Sequence, residues 1–263
     1  MGTLDISYIG MVLGLLLMGI PLYFFWQFAR HMVRSTLIAT ARMIVQLAII
    51  GIYFKYLFDW NSPWVNILWL LLITLVATLT AVRRAELKWK VFLIPLGVGL
   101  FSTAVLVGIY FLWIVLGLGN PFDARYFVPI MGILMGNMLG VNVFALGLYY
   151  DGLKRERQLY YYLLGNGATH FEAIVPFLRK AIVQACQPCI ANMAVMGLVS
   201  LPGTMIGQIL GGTGPGIAVK YQMMIVFITF AASMLSIMIT VWLADRRSFD
   251  AYGRLLDVRT KKS

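Results

Sequence analysis

Seven windows of about twenty nearly uncharged apolar residues constrain this chain more than any motif. They lie near 8–28, 37–57, 64–82, 91–118, 126–150, 182–202 and 221–244. A hydrocarbon layer about 30 Å thick takes roughly 20 apolar helical residues to cross. The charged fraction is 12%, about half the ~25% of a soluble domain. Twenty-five glycines without period and two cysteines exclude a collagen-like repeat and a disulfide scaffold. The expectation is an all-α integral membrane protein with about seven transmembrane helices, organised as one domain over 1–263. The first window has no basic region before it and no small-residue cleavage site after it, so it does not read as a signal peptide.

Charge sets an expected orientation. The net charge is +11, and the segments 29–36, 83–90, 151–181 and 245–263 hold 17 of the 21 Lys and Arg residues. The alternate connections, near 58–63, 119–125 and 203–220, hold only Arg125 and Lys220. An excess of this kind reflects cytoplasmic loops rather than nucleic-acid binding, and puts the N-terminus outside and the C-terminus in the cytoplasm. The basic tail 245–263 reads as disordered and membrane-adjacent.

Several polar residues fall inside the spans. Arg42 and Gln46, four apart in the second, either face a cavity or snorkel to the headgroups. Asn137 and Asn142 in the fifth and Asn192 in the sixth need polar partners; they serve interhelical bonding or cargo contact. Gly132, Gly136 and Gly140, with Gly147 beyond, form a small-residue stripe suited to close helix approach, and Gly10 and Gly14 form a shorter one. Of the fifteen methionines, only Met131, Met135 and Met138 share a face, so methionine reads as packing. Cys186-Gln187-Pro188-Cys189 lacks the soluble βαβ context of a redox pair and reads as two free cysteines. No metal-ligand set emerges, and His31 and His170 stand apart.

The run from Leu201 to Gly216 carries six glycines and two prolines without a charge, which argues against a regular membrane helix. Irregular backbone at membrane depth is tolerated only within protein or along a cavity, and broken helices often form ion or substrate sites. Pro202, Gly203, Gly207, Gln208, Gly211 and Gly212 are therefore candidates for a translocation path, together with Arg42, Gln46 and Asn137. Before it, Gly165-Asn166-Gly167 breaks a helix in segment 151–181. Thr169 and Glu172 then fit a capping box that starts a short helix over 169–175, and Pro176 is placed to begin the next helix. Such a helix suits docking to a cytosolic partner.

Phosphate-loop, zincin, nucleophile-elbow and dinucleotide motifs are absent, and no window contains Asp or Glu, which disfavours an acidic proton or sodium relay. The residues leave three classes open: a permease driven by another chain, a stand-alone transporter or channel, and a redox enzyme using Cys186 and Cys189.

At Met196-Gly197-Leu198-Val199-Ser200-Leu201-Pro202-Gly203-Thr204-Met205-Ile206-Gly207-Gln208-Ile209-Leu210-Gly211-Gly212, and at Ala218-Val219-Lys220-Tyr221-Gln222, the chain resembles the FetB-type permease family. Ala41-Arg42-Met43-Ile44-Val45-Gln46-Leu47 and Pro129 to Asn137 add to the likeness. These permeases are membrane subunits of bacterial ABC transporters linked to iron export, with plant relatives in aluminium tolerance. The resemblance implies a non-enzymatic homodimer in the bacterial inner membrane, binding no cofactor itself, with ATP and Mg on a separate cytosolic ATPase. It implies export of iron, or of a nucleotide-sugar-type cargo as in plant relatives. It also marks Gly165, Ala168, Thr169, Glu172, Ala173, Pro176 and Arg179 as the ATPase-coupling segment. The chain departs from the family at Cys186–Asn192, where relatives carry a Pro-Thr-Ile-Asn-like run.

Overall fold

The computed structural model describes residues 7–250 and 252–260; residues 1–6, 251 and 261–263 lie outside the described residues. The chain is helical almost throughout, and among the described residues there are no β-strands beyond three isolated bridges. Ten α-helices follow one another: α1 Tyr8–Leu16, α2 Gly19–Phe28, α3 Arg30–Trp60, α4 Pro63–Arg84, α5 Trp89–Ile109, α6 Ala124–Arg155, α7 Arg157–Gly165, α8 His170–Val195, α9 Gly203–Leu210 and α10 Pro215–Ser248. A wider π-helical turn, Tyr110–Val115, prolongs α5. Among the described residues, six stretches are long and apolar enough to cross a membrane: Tyr8–Phe28, Arg30–Trp60, Pro63–Arg84, Trp89–Val115, Ala124–Arg155 and Pro215–Ser248. The window 182–202 is not among them. Its helix begins in the charged segment at His170 and stops at Val195, where a turn closed by the Met196–Ser200 bridge follows.

Helices α4, α5, α6 and α10 form the body, and contact points give their directions. Asn142 of α6 bonds to Ser236 of α10, and two turns on Tyr149 reaches Asp245, so α6 and α10 run the same way. Phe92 near the start of α5 packs on Tyr150 near the end of α6, so α5 runs against both. Small residues permit the approach: a Cβ on Gly99 would collide with Thr240 Oγ1, the close fit expected where helices in lipid pack through Gly, Ala, Ser and Thr. Thr74, Thr78 and Ser233 bond to carbonyls one turn back in their own helices, which lets hydroxyls sit in an apolar core without interhelical partners. Met131, Met135 and Met138 are all buried in this core.

Helix α3 joins the body at its far end. Leu57 is its one buried residue, and Asn61 Oδ1 accepts from the Ala124 N–H at 2.8 Å. Elsewhere α1, α2 and α3 bury no residue.

The tail differs from the disordered segment expected. Val258 is buried, its carbonyl accepts from the Lys88 N–H at 2.9 Å, and Thr260 N–H donates to Glu86 O. Arg259 pairs with Asp151 at 2.6 Å and donates to the Gly147 carbonyl, while Lys88 pairs with Asp257 at 2.7 Å. The cationic residues thus fasten the tail over the α4–α5 turn and the end of α6 because fixed acidic partners are there. Its last residues, 261–263, lie outside the described residues.

Candidate functional site

Between α6, the end of α8, α9 and the start of α10 lies a cavity of about 240 Å³. Ile133 and Asn137 line it from α6, Cys189, Asn192, Met193 and Met196 from α8 and its C-cap, Thr204 from α9, and Gln222 through Ser233 from α10. No charged residue lines it. Thr204 Oγ1 donates to Gln222 Oε1, tying α9 to α10 across one side. Asn137 donates to its own helix at Ile133 O, which leaves its carbonyl oxygen free to accept, and the Asn192 side chain bonds to no other described residue. Amide oxygens, the hydroxyls of Thr204, Thr229 and Ser233, and sulfurs are thus the donor atoms the cavity offers. The cavity gathers two asparagines the sequence singled out, whereas Asn142 lies outside it and bonds to Ser236 and to Met138 O, as a packing residue does.

The structure distributes the other path candidates. Arg42 and Gln46 lie exposed on α3, away from the cavity, and neither side chain bonds to another described residue. The Gly/Pro run is not irregular throughout. Pro202 caps α9, Gly203 and Gly207 sit within that regular helix, and a Cβ at either would meet open space. Glycine is required beside the helix, at Gly197 with φ +87° and Gly212 with φ +96°, which side chains with a Cβ adopt at a cost. Gly211 closes α9 as its C-cap, and Gln208 Oε1 is buried without a hydrogen bond.

The segment expected to meet a cytosolic partner is a helical hairpin of α7 and the first turns of α8. Gly165 ends α7, and Gly167 turns the chain with φ +87°. The capping box is present: Glu172 N–H donates to Thr169 Oγ1, and Glu172 Oε2 accepts from the Thr169 N–H at 2.7 Å. The Thr169 backbone N–H, then its hydroxyl, hold the Glu172 carboxyl below the usual carboxylate range. Two expectations change. Pro176 does not open a new helix; α8 runs through it, because Ala173, Ile174, Phe177, Leu178 and Ala181 form one buried face on either side. Ala173 is 0% exposed, so it belongs to the chain's own core and is shielded from any partner. The exposed positions are Phe171, 62% exposed, with Glu172, Pro176, Arg179 and Lys180, while Ala168 is half-buried.

Behind this hairpin a second cavity, of about 700 Å³, runs from His170 and Phe171 to Trp242, Asp245 and Asp250. Tyr160 Oη donates to the Gly253 carbonyl at 2.9 Å, so at the 3.0 Å contact with His170 its oxygen accepts from Nδ1–H. Burial pushes the His170 pKa below its usual value. Asp245 accepts from Tyr149 at 3.1 Å and lies within reach of Tyr150. Sequence reading missed this carboxylate because it falls one residue beyond an apolar window. Among the described residues, no three His, Cys, Asp or Glu side chains converge as a metal-ligand set.

The sequence model of an uncharacterised protein family, UPF0014, matches residues 8–249. The "UPF0014 membrane protein YjkA" of Bacillus subtilis is 29% identical over 253 residues, covering 95% of this chain and 98% of that protein. The "Probable iron export permease protein FetB" of Escherichia coli is 30% identical, covering 87% of each chain. The "Protein ALUMINUM SENSITIVE 3" of Arabidopsis thaliana is 30% identical, covering 78% of this chain and 74% of its own. No solved structure matches.

Proposed function

The chain belongs to the UPF0014 family of membrane proteins, and on that premise we propose that it is the permease subunit of an ATP-driven exporter. It works as a homodimer with a separate cytosolic ABC-type ATPase, and its cargo is a metal ion, as the name of the Escherichia coli relative suggests. The observation that carries the reading is the α7–α8 hairpin. It presents an exposed aromatic, Phe171, on a helix start fixed by a capping box, beside the basic residues Arg179 and Lys180. An anchored aromatic suits insertion into a groove of a cytosolic protein, and the chain carries no phosphate loop with which to use ATP itself.

The membrane topology proposed has seven crossings. Since α6 and α10 run the same way, the chain returns between them, and α8 supports that return: His170 packs on Phe249 at the end of α10, and Cys186 meets Met234 further back along it. Arg83, Arg84, Lys88, Arg157, Lys180, Arg246 and Arg247 then lie toward one face, the cytoplasmic one by charge. The open glycine stripe supports a dimer seam: a Cβ at Gly136 or Gly140 would touch nothing within this chain.

The test is co-purification of the full-length protein with its ATPase from native membranes, wild type against Phe171→Asp. We expect the wild type to retain the ATPase and the variant to lose it while remaining in the membrane. Retention by both proteins contradicts the reading. The stand-alone transporter reading predicts that neither protein brings down an ATPase.

A further inference from the structure

Cys186, Cys189, Met193 and Met196 follow one another along α8 and its C-cap at intervals of three, four and three residues. That rhythm keeps all four side chains on one helical face. Met234 of α10 extends the line, with its Sδ 3.2 Å from Cys186 Sγ. Ten residues of helix rise about 15 Å, half of a hydrocarbon layer about 30 Å thick. Both cysteines are free. We propose that this sulfur face is the cargo's binding track, and that the cargo is a soft monovalent cation of the Cu(I) or Ag(I) type. The inference rests on the permease reading, because it requires the cavity to lie on the transport path.

The donor atoms select the ion. Thiolate and thioether sulfur favour soft cations, whereas hard ions favour carboxylate, carbonyl and water, several oxygens at once. The cavity holds Cys189, Met193 and Met196 and no carboxylate. A cation that takes Cys189 as ligand displaces the thiol proton to water, and the single negative charge left neutralises a monovalent ion; a divalent ion keeps an uncompensated charge in a medium where that is costly. The size fits as well. About 240 Å³ holds a cation with a few waters, each filling about 30 Å³ in the liquid, and is too small for a nucleotide sugar. Met131, Met135 and Met138 are the counterexample within the molecule: they are sealed in the core, whereas Cys189, Met193 and Met196 line the cavity.

The test is anaerobic competition for Cu(I) between bicinchoninate and the purified full-length chain in nanodiscs. We expect one tight Cu(I) per chain. Loss of outer-shell partners already costs about 10–100-fold in metal affinity, so Cys189→Ser and the near-isosteric Met193→Leu should each weaken binding at least about tenfold. Met131→Leu should leave it unchanged, and excess Fe(II) should not displace the ion. Cu(I) binding that is absent, that ignores both α8 substitutions, or that yields to Fe(II) overturns the proposal. Stimulation of the partner ATPase by the same preparation is read in parallel. Stimulation without Cu(I) binding removes the cargo assignment and leaves the permease reading standing; Cu(I) binding without stimulation keeps the site and breaks that reading.

Discussion

The first three helices and the four-helix body are almost equally apolar, yet they pack in opposite ways. In the most apolar stretches of Tyr8–Phe28 and Arg30–Trp60 the buried share is 0%, against 39–50% in α4, α5, α6 and α10. In water such exposed apolar surface would be untenable, but in lipid apolarity licenses either arrangement, because hydrocarbon is as good a neighbour as leucine. What separates the regions is small and hydroxyl-bearing residues in register. Gly99 lies against Thr240, Gly108 against Met131, and Ala232, Ser233, Ser236, Thr240 and Ala244 follow along α10. Among the described residues the α1–α3 arm has no such stripe against the body, and the Arg42 side chain, at mid-helix, has no partner.

The largest effect expected tests that contrast directly. Gly99→Val places its Cβ against Thr240 Oγ1 and 3.3 Å from Ser236 O. Overpacking of this kind costs about 1–3 kcal/mol or more, so the yield of monodisperse protein on size exclusion should collapse. Gly51→Val, with open space around it on α3, should behave as wild type. Equal damage from both substitutions removes the distinction between arm and body.

Next comes Gly212, whose φ of +96° strains any residue with a Cβ by about 1–2 kcal/mol. Gly212→Ala should lower the thermal midpoint measurably, and Gly207→Ala, in open regular helix, should not. The reverse order returns the glycine requirement to α9 itself.

Loss of the Thr169 cap in Thr169→Ala should cost about 0.5–2 kcal/mol of helix stability, seen as faster amide exchange over residues 170–173. Acid should act on the same contact. The Glu172 pKa is depressed in the folded chain, so its contribution is complete above the ordinary carboxylate pKa and is lost as pH falls through the lower folded value. Exchange that is indifferent to both cap and acid contradicts this.

The smallest effect belongs to the buried interhelical bond. Asn142→Ala removes the link to Ser236, and polar contacts between membrane helices average about 0.6 kcal/mol. The double substitution with Ser236→Ala should show coupling near that size in a mutant cycle; additivity denies that the pair bonds.

The helices, their apolar spans and the Thr169–Glu172 cap were legible in the sequence because each depends on neighbours along the chain. What depends on partners across space was not. Ala173 reads as a docking surface until the fold buries it. The tail reads as disordered until Glu86 and Asp151 meet Arg259. Methionines and cysteines, counted apart, hid one sulfur face on α8, and the window that ended at 244 hid Asp245. The short α9 inside the Gly/Pro run shows the same limit: composition located the breaks in a region without resolving which glycines make them.

On the proposed function, this chain transmits the work of a cytosolic ATPase through the hairpin of α7 and α8. ATP hydrolysis by the cognate ATPase in proteoliposomes, with and without this chain, tests it most directly and needs no knowledge of the cargo. The wild-type chain should raise turnover several-fold, about as much as a coupling free energy of 1–3 kcal/mol allows, and Phe171→Asp, equally well inserted, should not. Equal stimulation by both proteins, or none by the wild type, would contradict it.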